Sequence, residues 1–298
     1  MAKIVKAELV SEHHSDLLEG PIWHPYREEV FYSALLDGTV FAYSPGKDSV
    51  RTVSEGPLVG GATIHEDGRL MLFQDGTVAL MDPQTGAREQ VAAGVSAPNG
   101  RFNDVIADPA GRVLAGTMDG GDGQLLRIEL DGSVAVVHSG QPVPNGLGFS
   151  PDESKLYYTE SLSHNIYRYD FDRATGAMSN RYVHVQIPKA AGMPDGMTMD
   201  REGFIWSAVW HSSEVRRFDL NGDPDGTVVV LPVSQPSSTV FGGAKMNEMY
   251  ITTAGAEGGD SLGPNPRPHP EMPRGGGLYR ATIDFTSGIE EYRSRVQF

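Results

Sequence analysis

The 298-residue chain contains no cysteine, so disulfides, thiolate metal sites and a cysteine nucleophile are all excluded. No apolar run approaches the ~18 residues of a membrane-spanning helix. The opening "MAKIVKAELVSEHH" carries too short an apolar stretch for a secretory signal. A cytoplasmic protein with no membrane partner is the expectation. Positive charge is scarce as well: 24 Lys and Arg against 39 Asp and Glu leave a net charge of −15. Without a basic cluster to displace counterions, the chain has no footprint for nucleic acid, and a small-molecule substrate is expected instead. Also missing are the G-x-S-x-G elbow, the G-x-x-x-x-G-K-[ST] phosphate loop and H-E-x-x-H. "DLNGDPDG" (219–226) imitates a calcium-binding loop, but its sixth and twelfth positions are Pro224 and Val230, where Gly and Glu are needed. It reads as a turn between strands.

What is abundant is turn chemistry. The 36 glycines and 20 prolines fall between short apolar runs rather than in one block, which is the texture of many short strands. Aligning those runs exposes a repeat: "EGPIWHPYREEVFYS" from Glu19, "GGATIHEDGRLMLFQ" from Gly60, "NDVIADPAGRVLAGT" from Asn103, "NGLGFSPDESKLYYT" from Asn145, "DGMTMDREGFIWSAV" from Asp195 and "SSTVFGGAKMNEMYIT" from Ser237. Successive starts lie 41, 43, 42, 50 and 42 residues apart. Each copy is a hairpin, and most continue through a further turn to a third strand such as "DGTVFAYSP" or "HNIYRYDFD". Four strands per forty-odd residues predicts an all-β, six-bladed β-propeller of four-stranded antiparallel blades, a single domain over 1–298. Blades are expected to start near 19, 60, 103, 145, 195 and 237. The remnants "KIVKAELV" and "EEYRSRVQF" are expected to pair in one blade and close the ring.

In a propeller the innermost strands line a central channel, so the six starting positions should form a ring. Glu19, Asn103, Asn145 and Asp195 would then converge at one mouth, and like charges meeting in a partly desolvated place are costly unless a cation joins them. With only oxygen donors, a hard ion such as Ca²⁺, Mg²⁺ or Mn²⁺ is favoured over a structural Zn²⁺. The competing explanation is that Asn and Asp before Gly are ordinary turn formers. Recurrence at one register position favours the ring.

The stretches "EGPIW" (19–23), "RFNDV" (101–105), "GTM" (116–118), "NGLGFSPD" (145–152), "PDGMTMDREGFIWSAVW" (194–210) and "FGG" (241–243) resemble the senescence-marker-protein/gluconolactonase/luciferin-regenerating family of six-bladed propellers, over nearly the whole chain. The resemblance implies that Glu19, Asn145 and Asp195 hold one divalent cation, with Ca²⁺ first and Mg²⁺, Mn²⁺, Zn²⁺ or Fe²⁺ as alternatives. It implies that Arg101 and Asn103 contact substrate and that Asp195 doubles as catalytic acid/base. The implied activity is metal-dependent opening of a lactone. Two rivals stay open: phosphotriester hydrolysis at the same site, and a non-catalytic binder with a structural cation. Three departures stand out. The compact "DGGDGQ" (119–124), with Asp119 and Asp122, replaces a longer acidic loop; His211 stands where relatives commonly have Gly, and is a candidate substrate contact; and the Pro-rich insertion 255–277 in the last blade is a candidate lid. Trp23, Trp206 and Trp210 read as blade packing. A monomer or small homo-oligomer is expected.

Overall fold

The computed structural model describes residues 3–12, 15–95, 100–118, 122–255 and 271–298. Six blades of four antiparallel strands surround a central channel. Their innermost strands are Leu18–His24, Gly61–His65, Arg101–Ala107, Pro144–Phe149, Met193–Met199 and Pro236–Gly242. Among the described residues there is no α-helix and none that could cross a membrane. The 50-residue interval between the fourth and fifth starts comes from a long outer hairpin, Asn165–Asp172 and Ala177–Gln186.

Local chemistry dictates the hairpins. In "DPAG" the Asp108 carboxylate accepts from the Ala110 and Arg112 amides, and Gly111 takes φ +98° while donating to the Asp108 carbonyl. Asp200 and Gly203 repeat the device in the fifth blade, and Asp219 and Gly222 do so in the imitation calcium loop, which is indeed a turn. Aromatics seal the blades to each other. Trp206, fully buried, meets Phe241 of the next blade edge-on at 5.8 Å, and Trp23 stacks on Tyr250 at 6.3 Å. Trp210 is buried against Met193 and Ala254. All three tryptophans therefore pack the blades, as their spacing suggested.

The chain ends depart from expectation. Glu8–Glu12 does close the ring, pairing with Gly277–Thr282 as the outermost strand of the sixth blade, while Ile4–Lys6 adds in parallel to Pro224–Val230 of the fifth. The C-terminal segment does not join them. With the outer edge of the sixth blade already taken, the tail instead crosses the channel end opposite the ring of starting positions, and touches the hairpin turns of all six blades. Arg201 N–H donates to Ser287 O, Gly288 N–H to Met246 O, Glu66 N–H to Ser294 O and Arg295 N–H to Gly111 O, at 2.7–2.9 Å. The Tyr292 hydroxyl donates to Glu153, and Arg293 to the Tyr26 hydroxyl. Arg293–Ser294 pairs in parallel with Gly61–His65 on its channel side. The channel is therefore floored by the chain's own tail.

Candidate functional site

The ring forms where the inner strands begin. In the first, third, fourth and fifth blades the ladder slips between Glu19 and Ile22, Phe102 and Val105, Pro144 and Leu147, and Pro194 and Met197. A bulge at each anchor re-aims a side chain that regular pleating would place elsewhere. This is why Glu19, Asn103, Asn145 and Asp195 share one place in their repeats. Gly follows the anchor in Glu19-Gly20, Asn145-Gly146 and Asp195-Gly196; a Cβ on Gly146 would come within 2.6 Å of Asp195 O and one on Gly196 within 2.1 Å of Ser238 Oγ. The neighbouring inner strands are too close there for a side chain.

Asn103 and Asn145 form a directed relay. Arg101 Nη1 donates to Asn103 Oδ1 at 2.8 Å and to Phe102 O at 3.1 Å. Asn103 Nδ2 then donates to Pro144 O at 2.7 Å and to Asn145 Oδ1 at 2.8 Å. A guanidinium can only donate and a backbone carbonyl can only accept, so the orientation of Asn103 is fixed by its partners. Its oxygen is taken up by Arg101 and its amide by the Pro144 carbonyl and Asn145, so Asn103 ties Arg101 to Asn145. Asn145 Nδ2 donates to Ser161 Oγ at 2.9 Å, and Asn145 also donates to the Asp195 carboxylate. Ser161 is a contributor that the repeat did not reveal.

Electrostatics single out the same residues. Burial, then the nearby Asp104 charge, push Glu19 up to about 8, and Arg101 offsets only part of this. Burial raises Asp195 well above the carboxylate range, with Glu19 and Asp104 adding repulsion. Burial alone takes Asp104 up to about 7. Burial also lowers Arg101 from its ordinary value, although Glu19 opposes that. A divalent cation fits this donor set: two crowded carboxylates, Glu19 and Asp195, with too little positive charge around them, and Asn145, whose Nδ2 faces Asp195 while its Oδ1 keeps a lone pair beyond the one Asn103 occupies. Among the described residues no three Asp, Glu or His side chains gather about one point, so a cation here would depend on Asn145 as well as the carboxylates.

The remaining expectations divide. His211 is buried with left-handed backbone (φ +69°) at the ring end of the fifth blade, where Trp210 pairs with Met193, and its Nε2 accepts from Trp210 Nε1 at 3.1 Å. Ser237 is turned away: its hydroxyl donates to Leu18 O at 2.6 Å across the seam between sixth and first blades. Asp122 is exposed, whereas Asp119 lies outside the described residues, as do positions 256–270 of the 255–277 insertion.

Fold and centre together define a six-bladed β-propeller with an acidic, all-oxygen site at one mouth of a channel closed at the other. Residues 17–255 match the model of the SMP-30/Gluconolactonase/LRE-like region, and the chain belongs to that family. It is 39% identical to pentonolactonase XacC of Haloferax volcanii over 282 residues, 94% of each chain. It is 30% identical to regucalcin of Xenopus laevis over 295 residues, 96% of this chain and 97% of the other. A solved luciferin-regenerating enzyme superposes with a TM-score of 0.85 at 25% identity, covering 98% of this chain and 99% of that one.

Proposed function

We propose that the protein is a metal-dependent hydrolase that opens a sugar-type lactone at the mouth of the channel. The observation that carries the reading is the pairing of two crowded carboxylates, half-buried Glu19 and buried Asp195, with a polar relay from Arg101 through Asn103 to Asn145. Its similarity to a protein named pentonolactonase supports the substrate class.

Glu19, Asn145 and Asp195 would hold one divalent cation, Ca²⁺ being the best match to oxygen-only donors. When bound, such an ion polarises the lactone carbonyl and offsets negative charge developing on its oxygen. Asp195 takes the proton from a water as that water's oxygen bonds to the carbonyl carbon. The bond from that carbon to the ring oxygen then breaks, and Asp195 returns the proton to the ring oxygen, which leaves as a hydroxyl. The product is the open hydroxy acid. Arg101, its guanidinium steadied by Asn103 and the Phe102 carbonyl, binds the substrate's oxygens from the rim. His211, buried at the ring end of the fifth blade, would act on substrate choice through the Trp210 ring that it holds.

The test is hydrolysis of pentono- and hexonolactones, followed by proton release, with chelated and calcium-restored protein. Turnover that disappears on chelation and returns with Ca²⁺ supports the reading. Metal-replete protein inert towards every aldonolactone, but active on phosphotriesters, would transfer the site to the rival chemistry.

A further inference from the structure

Asp104 breaks the pattern of its repeat. The residue after the anchor is Gly20, Gly61, Gly146 or Gly196 in four repeats and Ser238 in a fifth, but a carboxylate in the third. Below the ring, Asp104 lines a separate cavity of about 30 Å³. None of Glu19, Asn145 and Asp195 belongs to its wall. Across this cavity stands Glu291, delivered by the tail that floors the channel, and close enough for the Asp104 charge to oppose its ionisation. Ser238 and Thr239 complete the polar part of the wall, and no Lys, Arg or His lines it. Thr239 is only 3% exposed, yet its hydroxyl has no protein partner.

Two half-buried carboxylates facing one small cavity with a buried, unpartnered hydroxyl and no basic group in its wall favour a counter-charge or a shared proton. The cavity has room for one small ion, since a single water needs about 10–15 Å³ of such space. We propose that Asp104, Glu291 and Thr239 form a second divalent-cation site, of the calcium class, in the closed half of the channel beneath the catalytic centre. Every protein donor is a hard oxygen, and the two acids supply the two negative charges a divalent ion requires. Because Glu291 is a tail residue, the ion would also pin the tail to the third blade's inner strand, coupling closure of the channel to calcium. Burial raises Asp104 and Glu291 each to about 7, Asp104 adding to the latter, which agrees with a missing counter-charge.

Calcium itself is the probe. Equilibrium dialysis with radioactive calcium should give two ions per wild-type chain, one per chain in Glu291→Gln and one in Asp195→Asn. Thr239→Val, which keeps the shape and removes the hydroxyl, should weaken the second site about tenfold and leave the first untouched, so the proposal stays testable if Glu291→Gln does not fold. One ion in the wild type, lost in Asp195→Asn and retained in Glu291→Gln, would overturn the proposal and leave the cavity to water. One ion that is lost in Glu291→Gln and kept in Asp195→Asn would support it while removing the catalytic site's metal. The two readings can therefore fail separately.

Discussion

Removing the metal should make the stability of this protein fall as pH rises. In the metal-free fold Glu19 holds its proton up to about 8, whereas in the unfolded chain it titrates near 4.5. Between those values the folded state binds more protons than the unfolded state, so unfolding free energy declines with pH at up to about 1.4 kcal/mol per unit for each such group. His24, His138, His164 and His184, all lowered chiefly by burial, act in the opposite sense but only up to about their ordinary value of 6.5. The window free of histidine is therefore pH 7 to 8, where Asp104 and Glu291, each raised to about 7, act in the same sense as Glu19. By pH 8 Glu19 has lost half its protons, and Asp195, also raised by burial, acts in the same sense. Glu19 by itself should cost about 1 kcal/mol across that unit, or roughly 2 °C in melting temperature for a chain of this size. Thermal melts of chelated protein followed by circular dichroism at pH 7.0, 7.5 and 8.0 measure it directly. Saturating Ca²⁺ should abolish the slope, because a cation lowers both carboxyls and removes the proton difference. A metal-free melting temperature that is flat or rises across the window would show that the acids ionise without penalty. The electrostatic case for the cation would then fail.

Other outcomes follow from single contacts. Asp195→Asn keeps the size but removes the base and one ligand charge, so turnover should drop by about 10²–10⁴ even at calcium high enough to refill the weakened site, which single-turnover kinetics across a calcium titration would register. Ser161→Ala removes the acceptor that orients Asn145 and should weaken calcium binding about threefold to tenfold, whereas an unchanged titration would show that Asn103 and Asp195 suffice to hold Asn145. Arg217 joins buried Asp200 at 2.6 Å beside Asp225, so Arg217→Met should cost about 3–5 kcal/mol in denaturant unfolding by stranding a buried charge. His211→Gly is relieved of its left-handed backbone strain and should shift the ratio of rates between small and bulky lactones while leaving calcium stoichiometry intact.

The sequence by itself determined the architecture. Its six hairpins recur at nearly constant spacing, and the Asp and Gly of "DPAG" and "DREG" act within a few residues of themselves, so their geometry needs nothing from the rest of the fold. It also determined that Glu19, Asn103, Asn145 and Asp195 converge, since equivalent places in a radial repeat face one axis. Tertiary structure alone decided how they divide the work. Only the approach of Arg101 from one side and the Pro144 carbonyl from the other fixes the orientation of Asn103, and only the seam between first and sixth blades gives Ser237 a carbonyl to bind in place of the ring. Asp104 was visible as the acid in a column of glycines, but its neighbour was not. Glu291 lies outside every repeat and reaches the channel because Glu8–Glu12 takes the last free edge of the sixth blade. The tail's hydrogen bonds are then met by turns that are far apart in sequence and adjacent only once the ring has closed. Contacts of that kind leave no period to read.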